Sequence, residues 1–403
     1  MLSRKQSQFL YAAGAALVLA ACADRPTEPD TPLPHGNGSP DASAVKFWEA
    51  GSAVAWNGIA RDFLVAPGRA FNPFLESRVL TYLSLAQYNA IIAAENSGTP
   101  GTHASRAGAA AGASVVVLKE FFPATAELAL IDERLAAQEA GSAWPGESYA
   151  DFAAGEAIGR TIGAAVVAYL RADNTGLAPL PTQLTGPGYW TSTAPVRGFF
   201  GTRPLTLTSA DQFRPPPPIE FGSAAFLAEL EEVVTLTQTR TAEQLTQAQF
   251  WNARVARYQN ELAAGMIVSH RRTERDAAHI LALANTAGFD ALIGCWDAKL
   301  TYWSIRPWQA DSRITSLPIG LPNHPSYPSG HSCVTSAYSE VLGQMFPDER
   351  PGLDANVEAA GLSRIYGGIH YRFDIVAGEV LGRQVAEHVL STDVTGHGPI
   401  ALD

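Results

Sequence analysis

The chain has 403 residues, of which 46% are hydrophobic and 17% charged, and its formal net charge is −11. This composition predicts a globular, acidic protein long enough to bury a large core, as one big domain or two closely merged halves. The acidic balance argues against nucleic acid as a partner, because contact with a phosphate backbone needs a net basic surface.

The N-terminus has the pattern of an export signal. Arg4 and Lys5 precede an apolar run over 9–21, which is too short to span a bilayer comfortably and ends in small residues. We therefore expect residues 1–21 to be a signal peptide. The sequence Leu19-Ala20-Ala21-Cys22 resembles a bacterial lipobox, in which Cys22 is lipidated and becomes the mature N-terminus. Ordinary cleavage after an Ala-x-Ala-like site is the alternative.

The lipoprotein interpretation predicts a membrane-anchored protein. Residues 22–42 are rich in proline and glycine and are typical of a flexible tether. Ala23 stands where aspartate would resemble an inner-membrane retention signal, which favours sorting to the outer membrane. The expected address is the periplasm or cell envelope, with the membrane as a partner through the lipid on Cys22.

The remainder of the chain is alanine-rich and helical in period. No clean strand pattern or internal repeat stands out, so we expect an all-α fold, a large helical bundle of two merged halves over 43–392, followed by a tail over 393–403. The many alanines and glycines permit close helix packing. The predicted helices cover 47–65, 75–94, 105–122, 124–140, 148–172, 224–238, 241–269, 276–304, 331–346, 353–366 and 370–390.

A long segment over 173–222 lacks helical periodicity and is rich in proline, glycine and aromatic residues. Such a segment is either a linker or a functional loop packed by its own side chains. Aromatic residues such as Trp190 and Phe199 favour the packed loop, because a free linker would leave them in water.

Three clusters between Cys295 and Asp374 supply what a buried tetrahedral oxyanion needs. A dense anion loses its hydration on burial, so its pocket must provide fixed positive charge and many hydrogen-bond donors. The clusters are Lys299-Leu-Thr-Tyr-Trp-Ser-Ile-Arg306-Pro307, Pro328-Ser329-Gly330-His331 and Ser363-Arg364-Ile-Tyr-Gly-Gly-Ile-His370-Tyr-Arg-Phe-Asp374.

The spacing within the first two clusters predicts how they meet the anion. Lys299 and Arg306 are seven residues apart, which on one helix places both on nearly one face, and Pro307 would end that helix. Ser329 to His331 has the pattern of a helix start, where free N–H groups and the positive end of the helix dipole favour an anion.

The third cluster predicts a broken helix. Arg364 and His370 are six residues apart, which is off-face for one helix, and Gly367-Gly368 lies between them. We expect Arg364 to end one segment and His370 to open the next. Asp374, four residues after His370, would then accept a hydrogen bond from the imidazole and fix its tautomer.

In this order the clusters resemble the signature of the superfamily of vanadium-dependent haloperoxidases and type 2 phosphatidic acid phosphatases. Its pattern is Lys, six residues, Arg-Pro, then Pro-Ser-Gly-His, then Ser-Arg, five residues, His, three residues, Asp, and every fixed position is filled. Each cluster alone is more often a helix end or a solvated face; the ordered set points to a site. The likeness to the bacterial haloperoxidase-like branch is strongest over 209–390, the expected catalytic part.

The resemblance implies specific roles. In a haloperoxidase, His370 would be the axial ligand of a vanadate cofactor, His331 would transfer protons to and from peroxide, and Asp374 would orient His370. The expected substrates are hydrogen peroxide with a halide or a small organic compound. The residues expected to hold the vanadate are Lys299, Arg306, Ser329, Gly330 and Arg364.

Two other functions fit the same residues. In a phosphatase, phosphate would replace vanadate, His370 would attack phosphorus to form a phosphohistidine, and His331 would protonate the leaving group. A non-catalytic oxyanion-binding lipoprotein would use the same pocket but would need no acid-base residue at His331.

Chain length, the export signal and the surroundings of the second cluster favour the haloperoxidase. His324, seven residues before His331, resembles the bromoperoxidase form, so bromide is favoured over chloride, and we place His324 and Trp303 near the halide. A loop histidine that bonds a carbonyl is the alternative for His324. Ile305 is a departure, because the haloperoxidase branch often has an aromatic residue there. Two further questions stay open: a disulfide between Cys295 and Cys333, and the oligomeric state.

Overall fold

A computed structural model describes residues 51–97, 103–142 and 151–393, and the architecture within these ranges is all-α. The predicted fold class, a large helical bundle, is confirmed. Within the described ranges, the extended pairing is limited to isolated bridges, such as the one between Tyr189 and Ser304. The helices are α1 Ser52–Leu64, α2 Pro73–Asn96, α3 Arg106–Phe121, α4 Thr125–Ser142, α5 Phe152–Arg171, α6 Ala224–Thr239, α7 Ala242–Asn252, α8 Ala256–Ser269, α9 Glu274–Tyr302, α10 Pro307–Ala310, α11 Gly330–Met345, α12 Arg350–Tyr366 and α13 Arg372–Thr392.

Several sequence predictions lie outside the described residues. They are the signal peptide over 1–21, the tether over 22–42 with Cys22, the tail beyond residue 393, and the starts predicted for the first and fifth helices at 47 and 148.

The single helix predicted over 241–269 is wrong, because the structure has two helices there, α7 and α8. Ala253 ends α7 with φ −114° and ψ 22°, and Val255 (φ −115°, ψ −116°) precedes α8. Arg254 donates to the carbonyl of Phe250 and lies over its ring. At the break, the Trp251 carbonyl accepts hydrogen bonds from the Arg254 N–H at 3.2 Å and from His331 at 2.8 Å, so one of its partners is a tertiary contact.

Helices α3 and α5 approach each other closely enough that their backbones touch. A Cβ atom on Gly159 would lie 2.1 Å from the carbonyl oxygen of Ala109, and one on Gly112 would lie 2.2 Å from the carbonyl oxygen of Glu156. Only glycine fits at these positions. The small residues of the first half therefore do allow the close packing that their abundance predicts.

Helix α9 is the central helix and carries the first site cluster near its end. Within the described ranges, it alone is long and apolar enough to cross a bilayer, but 94% of its most apolar stretch is buried inside the protein. Its apolar character therefore serves the core. Gly288 lets the ring of Tyr338 on α11 come so close that a Cβ would lie 2.1 Å from it.

The loop over 172–223 is packed against the helices, as its aromatic residues predict. Trp190 and Phe199 are buried. The buried carboxylate of Asp290 on α9 accepts hydrogen bonds from the backbone N–H groups of Leu205 and Thr206, both at 2.8 Å. The loop thus reaches the central helix and, through Trp190, the segment that follows α9.

Candidate active site

The first cluster reaches the site by a route that the sequence did not predict. Helix α9 ends at Tyr302 because Trp303 adopts a left-handed conformation with φ 49°. The long loop holds this turn: the Trp190 N–H donates to the Trp303 carbonyl at 2.6 Å, and the two indoles stack 6.2 Å apart. The expectation that Lys299 and Arg306 share one helical face is therefore wrong, and Arg306 lies in extended backbone before α10.

The second cluster forms the start of a helix, as predicted. Ser329 is the N-terminal cap of α11, and its hydroxyl accepts from the backbone N–H of Ser332 at 3.4 Å. Gly330 is the first helical residue. The N-terminus of α11 therefore presents free N–H groups and the positive end of a helix dipole.

The break predicted in the third cluster is present. Helix α12 ends at Tyr366, and Gly368 has φ 73°, a conformation that favours glycine. His370 does not open the next helix, because α13 begins at Arg372. His370 lies in the link, which lets its ring turn back toward Arg306.

Hydrogen bonds fix the tautomer of His370. Its Nδ1 lies 2.7 Å from Oδ2 of Asp374, and its Nε2 lies 3.0 Å from Nη1 of Arg306. Since a guanidinium only donates, Nε2 must accept, and Nδ1 carries the proton that it donates to Asp374. The predicted pairing with Asp374 is present, and Nε2 offers its lone pair to the site.

Asp374 is buried and concentrates its hydrogen bonds on one oxygen. Besides His370, Oδ2 accepts from the Ser326 hydroxyl at 2.5 Å and from the Tyr371 N–H at 3.2 Å. Burial outweighs these donors and raises the pKa of Asp374 to about 6. At neutral pH the carboxylate is therefore ionised and able to hold the imidazole.

Arg306 links two histidines. Its Nη1 donates to His370 and its Nη2 to Nδ1 of His324 at 3.0 Å, while its Nε donates to the His324 carbonyl, also at 3.0 Å. Nδ1 of His324 also lies 3.3 Å from the Pro325 carbonyl, which only accepts, but the shorter contact with Arg306 favours Nδ1 as an acceptor and the proton on Nε2. His324 and His370 thus lie on either side of one guanidinium, a relation that no spacing in the sequence predicts.

Lys299 lies behind the wall of the site and holds the loop that leads into α11. Its ammonium donates to the carbonyls of Pro325, Ser326 and Pro328 at 2.9, 2.6 and 2.5 Å. These bonds occupy its three N–H groups. In this arrangement the charge of Lys299 acts on the site through space, and its hydrogen bonds shape the loop.

Arg364 is anchored at two of its nitrogens. Its Nε donates to the Ser363 hydroxyl and its Nη2 to the Ala248 carbonyl, both at 2.9 Å. The guanidinium lines the cavity of the site, on the side of α7 and α12.

His331 is fixed in the opposite tautomer to His370. Its Nε2 lies 2.8 Å from the Trp251 carbonyl, which only accepts, so Nε2 keeps a proton and Nδ1 has the lone pair. Nδ1 is therefore the atom of His331 that gains and loses a proton. The sequence had no signal for Trp251 as the orienting partner.

These groups surround a cavity of about 360 Å³. The predicted residues Arg306, His324, Gly330, His331, Arg364 and His370 line it. Lys299, Ser329 and Asp374 lie behind the wall, and Trp303 is buried against Trp190 rather than at the cavity. Phe74 and Trp296 also form part of the lining, and nothing in the sequence predicted this, because both lie outside the three clusters.

The site holds more positive than negative charge. Burial lowers the pKa of Lys299 to about 8, that of Arg306 to about 10 and that of Arg364 to about 9, and Arg306 adds to the shifts of the other two. Asp374 is the acid among the site residues, and no acidic side chain lines the cavity. Burial and these cations also lower the pKa values of His324, His331 and His370 well below their usual range. Such a cavity favours an anion.

Cys295 and Cys333 are buried and free, so the disulfide left open by the sequence is not formed. The Cys295 thiol lies 3.8 Å from the Pro328 carbonyl, beside the loop held by Lys299.

In solved structures the architecture is similar to that of a bacterial vanadium-dependent iodoperoxidase, with a TM-score of 0.69 and 24% identity over 84% of this chain and 95% of that one. It is also similar to a bacterial vanadium-dependent chloroperoxidase without its cofactor, with a TM-score of 0.64 and 14% identity over 81% of this chain and 95% of that one.

Sequence comparison names the family. Residues 277–393, which contain all three clusters, match the PAP2 superfamily. A non-specific acid phosphatase of Providencia stuartii is 29% identical over 180 residues, 41% of this chain and 68% of the phosphatase. The part of the chain that carries the three clusters therefore matches the superfamily that these clusters predict.

Proposed function

We propose that this protein is a vanadate-dependent haloperoxidase that oxidises halide with hydrogen peroxide and prefers bromide to chloride. The observation that favours haloperoxidase activity over phosphatase activity is the share of this chain that each similarity covers. The haloperoxidase fold covers 84% of this chain, whereas the likeness to the acid phosphatase covers 41%.

The residues present fit a bound vanadate. Arg306 and Arg364, which line the cavity, would hold it by their positive charge, the N-terminal N–H groups of α11 would donate to it, and Nε2 of His370 has a lone pair with which it would act as a ligand. Lys299 adds charge from behind the wall. When bound, vanadate supplies a Lewis acid that activates hydrogen peroxide toward halide without changing its own oxidation state.

Asp374 and Ser326 orient His370. The Ser326 hydroxyl and the His370 N–H both donate to Oδ2 of Asp374, so the ring is held with Nε2 toward the cavity. In the free site Arg306 donates to Nε2, and with an anion bound it would donate that N–H to an anion oxygen. Its guanidinium would then neutralise the charge of the anion and leave the Nε2 lone pair available.

Proton transfer is the part played by His331. Its Nδ1 is neutral in the free site because burial and Arg364 lower its pKa. An anion in the cavity offsets the neighbouring cations and raises that pKa, which makes Nδ1 able to accept a proton from peroxide and return it to the departing oxygen. The Trp251 carbonyl keeps Nε2 out of this exchange.

A phosphatase activity is the second candidate, and the likeness to the acid phosphatase is the observation that favours it. Nε2 of His370 would form a bond to phosphorus while the ester P–O bond breaks, and Nδ1 of His331 would donate a proton to the leaving oxygen. Water would then hydrolyse the phosphohistidine.

One set of assays separates these activities. Protein purified without phosphate is loaded with orthovanadate, and oxidation of bromide, chloride and iodide by peroxide is measured beside hydrolysis of an aryl phosphate. We expect vanadate-dependent bromide oxidation that exceeds chloride oxidation. Hydrolysis without halide oxidation at any vanadate loading would instead assign the phosphatase, and tight vanadate binding with neither activity would assign a binding protein.

We also propose that the protein is exported and anchored to the outer membrane through a lipid on Cys22. The lipobox-like sequence and Ala23 support this address. In fractionated cells, the wild-type protein should require detergent for release, and Cys22→Ser should be unprocessed or soluble. A mature N-terminus beyond Cys22 without lipid, found by mass spectrometry, would contradict the anchor.

A further inference from the structure

One wall of the cavity is aromatic from its mouth to its base. Phe71, which is 46% exposed, lies at the mouth. Deeper in, the rings of Phe74 and Trp296 meet edge-to-face with centroids 4.6 Å apart. Trp296 then lies 5.0 Å from the ring of His324, which contacts Arg306. Phe71 at the mouth and the contacting rings of Phe74, Trp296 and His324 thus line the cavity from solvent to its charged end.

The opposite part of the mouth is also apolar. Leu321, which is 62% exposed, and Ile319 come from the loop before α11. Exposed apolar side chains on two separate segments around one opening form a surface that gains free energy when an apolar compound covers it. A halide gains nothing from this surface, since its hydration is lost there without any compensating donor. The wall therefore suits a reactant other than the halide.

Size and shape narrow the choice of that reactant. A cavity of about 360 Å³ is at the small end of ligand pockets and suits a compound of one or two rings rather than a polymer. Rings that line one wall favour a planar aromatic partner through edge-to-face and stacked contacts. At the base, Arg306 and His324 supply polar partners for a substituent such as a phenolic hydroxyl.

We propose that this wall, from Phe71 through Phe74 and Trp296 to His324, binds a planar, electron-rich aromatic compound as the halogen acceptor; the role of acceptor rests on the proposed haloperoxidase activity. The net reaction is Ar–H + X⁻ + H₂O₂ + H⁺ → Ar–X + 2 H₂O. A C–H bond breaks and a C–X bond forms. The halide loses two electrons to the O–O bond of peroxide, and the ring proton leaves as part of the water formed.

The first test measures binding without turnover. Calorimetric titration with 2-naphthol, in the absence of peroxide and halide, should give saturable binding. Phe71→Ser and Leu321→Ser should each weaken that affinity about fivefold, because each removes apolar contact at the mouth. The matched controls are Phe221→Ser and Leu177→Ser, which change exposed residues (42% and 73%) outside the cavity lining and should keep wild-type affinity. Equal affinity in all four variants, or no binding to the wild type, would overturn the proposal.

The second test compares products. The wild-type enzyme, bromide and peroxide should convert 2-naphthol with a product ratio different from that of reagent hypobromous acid, and an added scavenger of free hypobromous acid should leave the yield unchanged. A reagent-like ratio with yield lost to the scavenger would overturn the proposal. Oxidation of iodide to triiodide, with no organic compound, checks the haloperoxidase activity separately. Triiodide formation without naphthol binding would therefore reject the aromatic binding wall and leave the haloperoxidase activity standing. Naphthol binding without oxidation of any halide would reject the haloperoxidase activity, and with it the role of the bound compound as halogen acceptor.

Discussion

The α3–α5 interface and the active site are both deeply buried, yet they place opposite demands on stability. At the interface, glycines such as Gly159 bring two backbones into contact, and the gain is dispersion and burial. In the site, Lys299, Arg306 and Arg364 are buried together with one acid, Asp374. Desolvation and mutual repulsion make that arrangement unfavourable in the free protein. A buried charge imbalance of this kind identifies a place built for a ligand.

The largest effect is expected from a substitution that disables the active site and leaves the α3–α5 interface intact. His370→Ala removes the Nε2 lone pair, so halide oxidation or ester hydrolysis should fall by about 10³-fold or more. His331→Ala should instead retain the anion and lose turnover, because its Nδ1 only moves protons. Equilibrium dialysis with vanadate, read beside the activity assays, separates the two variants. Vanadate retained by His370→Ala and lost by His331→Ala would reverse the assigned roles.

The next effect concerns the charge imbalance itself. Arg364→Met keeps much of the side-chain volume but removes one buried cation, so oxyanion affinity should fall by about 3 kcal/mol. Isothermal titration with phosphate or vanadate measures it. Arg203→Met is a matched control, because Arg203 is not part of the cavity lining and stacks on Tyr169. Unchanged affinity in Arg364→Met would mean that Arg364 does not act on the anion.

A smaller effect tests the interface alone. Gly159→Ala places a Cβ 2.1 Å from a backbone oxygen, so the free energy of unfolding should fall by about 2–3 kcal/mol. Gly265→Ala is the control on α8, where a Cβ meets nothing within 4 Å; it should be neutral or stabilising by up to about 1 kcal/mol. Urea unfolding measures both. Equal stability of the two variants would show that α3 and α5 can separate without cost.

The smallest expected effect is a dependence of folding stability on pH that comes from the buried Lys299. The pKa of Lys299 in the folded protein, about 8, is below its ordinary value of 10.5, so the folded state binds fewer protons than the unfolded state between these values. The stability of the free protein should therefore rise by about 1–3 kcal/mol as pH increases from 8 to 10. Lys299→Met should reduce that slope. An identical slope in both proteins would show that Lys299 is not desolvated.

The contrast between the α3–α5 interface and the active site also explains which features the sequence could predict. Helical periodicity and small residues predict the bundle and its close packing. Each helix buries one face, and the local sequence pattern is enough to identify that face. The site residues were identified by type and order. The helix start at Ser329 and the pairing of His370 with Asp374 were also predicted, because each depends on local spacing. The positions of Arg306 and His370 were not, since Trp303 ends α9 through a contact with Trp190, and His370 turns back from a link that depends on Gly368. The break between α7 and α8, where the Trp251 carbonyl accepts from His331, likewise has no local signal in the sequence.

The central claim is that an oxyanion compensates the three buried cations, and thermal unfolding with and without orthovanadate tests it most directly. At a vanadate concentration of about 100 times the dissociation constant, the wild-type protein should gain about 2.7 kcal/mol of stability and unfold several degrees higher. Arg364→Met should show a much smaller gain at the same concentration. Equal gains in both proteins, or no gain in the wild type, would contradict the claim that these clusters form an anion site.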